Sequence, residues 1–188
     1  MIFSLPITVS FSGETHEIRT DFRVILEIIT MLEDQELSGE DKTEALLEMF
    51  YLDPDSITDE KGAVEAAYDF IDAGSKRQKK KNPRLTDWNK DFEYIIAPVN
   101  RVLGYEARSV DYDPETNKGG VHWWTFIAAY MEIGGDCLYS QIVTLRDKQA
   151  RKAKLEKHER DWLRRNGDLV RMDQQYTKAE EDLIKEWT

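Results

Sequence analysis

The sequence has few of the residues and runs that mark disulfide, metal or membrane proteins. Among its 188 residues there is one cysteine, Cys137, so no disulfide can form within the chain and no oxidising compartment is indicated. The three histidines, His16, His122 and His158, lie far apart and away from any cysteine cluster, so we expect no metal site. No apolar run reaches membrane-spanning length, and the first residues lack a signal-peptide pattern. We therefore expect neither export nor membrane insertion, and a cytoplasmic location.

The residue spacings that identify common active sites are also missing. There is no phosphate-binding glycine loop, dinucleotide-binding glycine pattern, zinc-protease helix, paired-cysteine motif or nucleophile elbow. Because Asp and Glu are abundant, a catalytic pair of carboxylates brought together by folding is the enzymatic alternative. We expect a protein that is not an enzyme, holds no cofactor and acts by binding another protein.

The charge of the chain is negative overall and unevenly distributed. There are 37 acidic and 26 basic side chains, and the formal net charge of −11 opposes general binding to nucleic acid. Acidic residues dominate positions 27–72, whereas basic residues concentrate at 76–84 and 146–165. The basic loop at 76–84 could contact nucleic acid or an acidic partner, or could be only a solvated loop. Oppositely charged parts of the chain could attract each other or a second copy.

The apolar residues predict a mainly α fold with a short N-terminal β-hairpin. Ile7, Val9 and Phe11 alternate with polar residues before Ser12 and Gly13, which is the period of two strands joined at a turn. After Thr20 the apolar residues recur every three or four positions, as in amphipathic helices. This pattern predicts helices that begin near residues 20, 39, 59, 86, 121, 138 and 177, and a polar loop at 105–120.

The helix that begins near residue 138 loses its apolar stripe at about residue 146, where good helix formers continue. We therefore predict a hairpin plus helical core domain at residues 1–145 and a charged helical C-terminal arm at 146–188 that projects into solvent. The arm carries large apolar groups among its charges, so it could be a docking element or a purely structural one. Its candidate partner-binding residues are Arg146, Arg151, Lys152, Leu155, Trp162 and Leu163.

Five short segments stand out: TDFR at 20–23, DFEYII at 91–96, LGY at 103–105, VHWWTF at 121–126 and IVTLR at 142–146. Together these segments resemble the bacteriophage gene-product-fifteen family. The resemblance covers residues 1 to about 146 in order, and the His-Trp-Trp helix is its most specific element. That helix could be a recognition site, because Trp is favoured at binding hot spots, or part of the core. We expect the motif residues in the core: Phe22, Phe92, His122, Trp123, Trp124 and Phe126.

The resemblance implies a role in tail assembly. Members of this family come from long-tailed phages and prophages of Gram-positive bacteria, and are regarded as tail-assembly chaperones. Such a chaperone would bind the tape-measure protein in the cytoplasm of the bacterial host and keep it soluble until tail-tube subunits replace it. Expected partners are the tape-measure protein, other tail-assembly proteins and further copies of the chain, which would form a homo-oligomer. The alternatives are a structural tail component, or a nucleic-acid-binding regulator that uses the basic loop at 76–84.

Overall fold

The computed structural model describes residues 4–73 and 83–172. Within these ranges the chain forms two antiparallel hairpins and seven α-helices, so the predicted mainly α fold with a short N-terminal hairpin is confirmed. In chain order the elements are β1 (Thr8–Phe11), β2 (Glu14–Glu17), α1 (Phe22–Glu33), α2 (Gly39–Phe50), α3 (Glu60–Ile71), α4 (Trp88–Leu103), β3 (Tyr112–Asp113), β4 (Lys118–Gly119), α5 (Trp123–Met131), α6 (Leu138–Ala150) and α7 (Lys157–Val170).

The described residues belong to two compact units. The first unit contains residues 4–73 and 106–128, and the second contains 83–105 and 129–172. The boundary predicted between residues 145 and 146 falls inside α6. Most of the basic loop predicted at 76–84, and the helix predicted from residue 177, lie outside the described residues.

The N-terminal hairpin turns at the residues that the sequence predicts. β1 pairs with β2 so that Phe11 lies opposite Glu14, and Ser12 and Gly13 between them both have positive φ, of 51° and 85°. Two successive left-handed residues match the twist of paired strands. Phe11 then stacks on His16 with ring centroids 4.5 Å apart, and β1 packs against α3.

Two of the family-like segments, 20–23 and 121–126, pair with each other through their backbones. The amide of Phe22 donates to the carbonyl of Val121 at 2.9 Å, and the amide of Trp123 donates to Thr20 at 2.6 Å. The carboxylate of Asp21 is 1% exposed and accepts from the amide of Val121 at 2.8 Å and from the Arg23 side chain at 2.7 Å. These bonds join the start of α1 to the start of α5.

The Arg23 side chain also contacts a short hairpin that the sequence pattern did not predict. Its guanidinium donates to the carbonyl of Val110 at 3.0 Å and lies 5.4 Å from the centre of the Tyr112 ring. Tyr112 belongs to the β3–β4 hairpin, which lies in the segment predicted as a polar loop. The strands of this hairpin have two residues each, which is too short for an alternation of apolar and polar residues to show.

The His-Trp-Trp segment uses its polar ring atoms to satisfy backbone groups in the first unit. The indole nitrogens of Trp123 and Trp124 donate to the carbonyls of Ile71 and Phe70, each at 2.9 Å. These carbonyls lie at the C-terminal end of α3, and that of Phe70 also accepts from the amide of Ala73 at 2.9 Å. Trp123 is 2% exposed, and the ring of Phe126 stacks on Phe22 with centroids 4.4 Å apart.

His122 completes this arrangement as a neutral imidazole. Its Nδ1 accepts from the amide of Trp124 at 3.0 Å, so the proton lies on Nε2, which is 2.8 Å from the carbonyl of Pro6. Burial lowers the pKa of His122, although the bond to Pro6 acts in the opposite direction. The neutral form is therefore the one that fits the fold.

The second unit is organised around one buried ion pair. The guanidinium of Arg146 is bidentate to the carboxylate of Asp91, and these residues are 4% and 0% exposed. Arg146 also donates to the carbonyls of Leu85 at 2.9 Å, Val170 at 2.9 Å and Leu169 at 3.1 Å. All five N–H groups of the guanidinium thus have acceptors. This one side chain connects the region before α4, α6 and the end of α7.

The predicted projecting arm is wrong over the described residues. The helix ends at Ala150, the chain turns, and α7 packs back against α6. Arg146 fixes this return because it bonds the carbonyls at the C-terminal end of α7. For the same reason Arg146 lies in the core and is not available to a partner, contrary to the expectation from its basic surroundings.

Removing one member of the Arg146–Asp91 pair should destabilise the protein strongly. We expect Asp91→Ala to lower the free energy of unfolding by about 3–5 kcal/mol, because it leaves a buried charge uncompensated. The double variant Asp91→Leu with Arg146→Met should recover much of this loss. Urea unfolding measures both values. A loss below about 1 kcal/mol, a typical surface effect, would contradict the assigned role of the pair.

His122 should make the first unit sensitive to mild acid. Because the folded-state pKa is depressed, the unfolded chain takes up a proton that the folded chain does not as pH falls through the unfolded pKa of about 6.5. The free energy of unfolding should therefore decrease from pH 7.5 towards 5.5. His122→Gln should flatten this decrease, whereas His158→Gln, which removes an exposed histidine, should not. Equal pH profiles for wild type and His122→Gln would show that His122 does not contribute.

Candidate functional site

A groove lies between α6 and α7, within the second unit. Its volume is 520 Å³. The residues that line it come from the loop before α6 and from facing sides of the two helices: Gly135, Gln141, Thr144, Leu145, His158, Glu159, Trp162 and Arg165. The groove forms because α7 folds back against α6. The buried Arg146 holds α7 in this position through its hydrogen bonds to the carbonyls at the end of α7.

Short-range bonds hold the N-terminal end of α6 and the turn between the helices. At the start of α6, the Ser140 hydroxyl donates to the carbonyl of Gly134 at 2.6 Å. After α6, Lys152 has a φ of 53°, and the amide of Ala153 donates to the carbonyl of Lys148 at 2.8 Å. This left-handed residue reverses the chain in the way that many helix C-termini do.

The start of α7 is fixed by Glu159. Its carboxylate accepts from the amide of Glu156 at 2.8 Å and from Lys148 Nζ on α6 at 2.5 Å. The hydrogen bond from Lys148 lowers the pKa of Glu159, with a further contribution from the Glu156 amide. The carboxylate therefore stays ionised near neutral pH, and one wall of the groove carries a fixed charge pair.

The groove combines an apolar floor with a polar rim. Leu145 is buried and Trp162 is half-buried, so the indole presents part of its surface to the groove. Gln141 and Thr144 lie on the α6 side, and the exposed Arg165 lies on the α7 side. Trp and Arg are the residue types most enriched at binding hot spots. This arrangement suits the apolar side of a helix or an extended peptide.

Of the six predicted partner-binding residues, one lines this groove. That residue is Trp162, whereas Arg146 is buried beneath α7. Arg151 is exposed but bonds Asp147 at 2.7 Å, and Lys152 is exposed in the turn. Leu155 and Leu163 are half-buried and do not line the groove.

Most of the groove residues are not among the predicted partner-binding residues, although their spacing along the helices contains a signal. On α7 the groove residues are 158, 159, 162 and 165, and on α6 they are 141, 144 and 145. Each set follows the three-or-four spacing of one helix face. The missing information is that the two faces meet, which depends on the turn at 151–156.

The family-like residues lie mostly inside the fold. Phe22, Trp123 and Phe126 are buried, while His122, Trp124 and Phe92 are half-buried. None of these six side chains is exposed, and the ring nitrogens of the two Trp residues bond backbone carbonyls. We therefore assign the motif to packing and not to recognition.

The described residues contain neither a metal-type cluster nor a membrane-spanning helix. Among residues 4–73 and 83–172, no group of three or more His, Cys, Asp or Glu side chains is arranged to hold a metal ion. Over the same residues, no helix is both long and apolar enough to cross a membrane.

Comparison with known proteins identifies the family. The model of the family described as bacteriophage Gp15 protein matches residues 1–172, well past residue 146, where the resemblance in individual motifs ends. No curated protein and no solved structure is similar enough to the chain to count as a match. The family description indicates a phage structural or tail-related protein. The chain belongs to the bacteriophage Gp15 protein family.

Proposed function

We propose that this protein is a phage tail-assembly chaperone that binds the tape-measure protein and keeps it soluble in the cytoplasm of the bacterial host. In this proposal it is not an enzyme and needs no cofactor. Family membership supports the connection with phage tails. The observation that carries the binding role is the α6–α7 groove, with the partly exposed indole of Trp162 in it.

The groove fits what a tape-measure protein requires. By the family resemblance, that partner is a long, helical and aggregation-prone rod, whose apolar stripe must be covered before the tail tube assembles around it. An amphipathic helix can place large side chains from its apolar face into a groove on a helical protein. A groove of 520 Å³ covers only a short part of a rod. Several copies of the chaperone would therefore be needed for each tape-measure molecule.

A structural tail component is the second candidate, because the family description fits it equally well. It would use the same helices and surfaces, but it would remain in the finished particle. The nucleic-acid-binding alternative depends on residues 76–84, of which 76–82 lie outside the described residues. The structure adds no observation in its favour.

Truncating Trp162 should weaken binding to the tape-measure protein. We expect Trp162→Ala to raise the dissociation constant by about thirtyfold, which corresponds to a hot-spot loss of about 2 kcal/mol. Co-expression with the tape-measure protein, followed by size-exclusion chromatography with light scattering, measures complex formation and stoichiometry. Tyr105→Ala is a matched control, since Tyr105 is 44% exposed and does not line the groove. If wild type remains free while the tape-measure protein precipitates, the chaperone proposal fails.

The two candidate functions predict different contents of the mature phage. A chaperone should be absent from purified particles, because tail-tube subunits displace it. Quantitative mass spectrometry of purified particles measures this, with the tail-tube protein as the internal reference. A fixed, stoichiometric amount of this chain in the particle would identify a structural component instead.

A further inference from the structure

A row of basic residues lies on the side of α7 that points away from the groove. Lys157, Arg160 and Arg164 are all exposed and are spaced three and four residues apart, so they share one helix face. An α-helix turns by about 100° per residue, so the groove residues of α7, such as Trp162, lie on the opposite face of the helix. We call the row of Lys157, Arg160 and Arg164 the basic stripe.

The basic stripe is only partly neutralised within the chain. Arg164 lies 3.6 Å from Asp161, and Arg160 donates to the carbonyl of Leu155 at 2.6 Å. Among the described residues, Lys157 forms no ion pair within 4 Å. Over residues 151–165 there are seven basic and three acidic side chains. The outer side of α7 therefore presents uncompensated positive charge.

A matching row of acidic residues lies on α2, in the first unit. Glu40, Glu44 and Glu48 are exposed and four residues apart, on the side opposite the buried Leu46 and Phe50. We call these three glutamates the acidic stripe. None of them forms an ion pair with a described residue, and residues 34–48 contain six acidic side chains and one basic one. Like charges at this spacing weaken a helix, so the row opposes the stability of the helix that carries it.

The two stripes are complementary in length as well as in charge. From first to last residue, the acidic stripe covers eight steps along the helix, or about 12 Å, and the basic stripe covers seven, or about 10 Å. The charge difference extends beyond the stripes. The described residues of the first unit carry 22 acidic and 6 basic side chains, whereas those of the second carry 10 acidic and 13 basic.

We propose that the acidic stripe of one copy docks on the basic stripe of a second copy of this chain. Each copy carries both stripes, so two copies associate head to tail, with the acidic stripe of one on the basic stripe of the next. Further copies can join in the same way. A second copy is favoured over an unrelated polyanion because the chain itself carries an exposed acidic row that matches the basic stripe in length and spacing. The groove lies on the other face of α7 and stays open. This inference does not depend on the tape-measure protein as a partner.

Charge reversal tests the interface directly. One variant combines Glu40→Lys, Glu44→Lys and Glu48→Lys, and the other combines Lys157→Glu, Arg160→Glu and Arg164→Glu. Sedimentation of the wild type at low salt should give a molar mass that rises with concentration. At about 1 M salt, where the Debye length is about 3 Å, the mass should fall to that of one chain. Each variant alone should dissociate, with a dissociation constant raised about tenfold or more, because like charges then face each other.

An equimolar mixture of the two variants should associate again at low salt. The reversed α2 of one variant complements the reversed α7 of the other, and the two unchanged stripes also complement each other. A matched control reverses two acidic residues on α3 and the one that follows it, Glu65→Lys, Asp69→Lys and Asp72→Lys, and should associate like the wild type. Circular dichroism and thermal melting of every variant verify that the exposed substitutions leave the fold intact.

Several results would overturn the proposal. A wild-type chain that sediments as one chain at low salt would place any attraction between the stripes within a single molecule. Association of either variant alone at wild-type strength, or no association in the mixture, would exclude the stripes as the interface. If the α3 control loses association to the same extent as the stripe variants, net charge and not the stripes controls association. Salt-sensitive DNA binding by a monomeric wild type, lost on reversing the basic stripe, would assign that stripe to nucleic acid.

Discussion

The bidentate pair between Arg146 and Asp91 is the interaction on which the second unit depends. Both side chains are buried, and burying two charges is favourable only where every donor and acceptor finds a partner. Arg146 meets this condition by donating to three backbone carbonyls as well as to the carboxylate. Two of these carbonyls end α7. The same bonds that compensate the buried charge therefore bring α7 back onto α6 and form the groove.

The first unit contains a comparable buried carboxylate. Asp21 is a buried carboxylate that accepts from Arg23 and from the backbone amide of Val121, a hundred residues away. Asp91 likewise accepts from Arg146 and from the amide of Asp87 at 2.8 Å. Both acids lie near the start of a helix and in a family-like segment. These segments are thus explained by the fold, so the partner-binding surface has to be sought among residues outside them.

Local signals made much of the fold predictable from the sequence. The turn at Ser12 and Gly13, the cap at Ser38 and the left-handed Gly104 at the end of α4 all act through neighbouring backbone groups. Their effect is contained in a few consecutive residues. The return of α7 is different, because it depends on carbonyls that Arg146 reaches 23 and 24 residues further along the chain. Taken by itself, Arg146 is one more basic residue in a basic segment, which is why the sequence predicts a projecting arm.

The candidate site was less predictable than the fold for the same reason. Trp162 stands out in the sequence as a large apolar residue on a charged helix, but its partners on α6 become visible only when α7 is in place. The family match, which extends to residue 172, includes the whole of α7 and both carbonyls that Arg146 bonds. The matched region therefore contains everything needed to build the groove. Since one face of α7 forms that groove and the opposite face carries exposed basic residues, the helix can present two surfaces to two partners simultaneously.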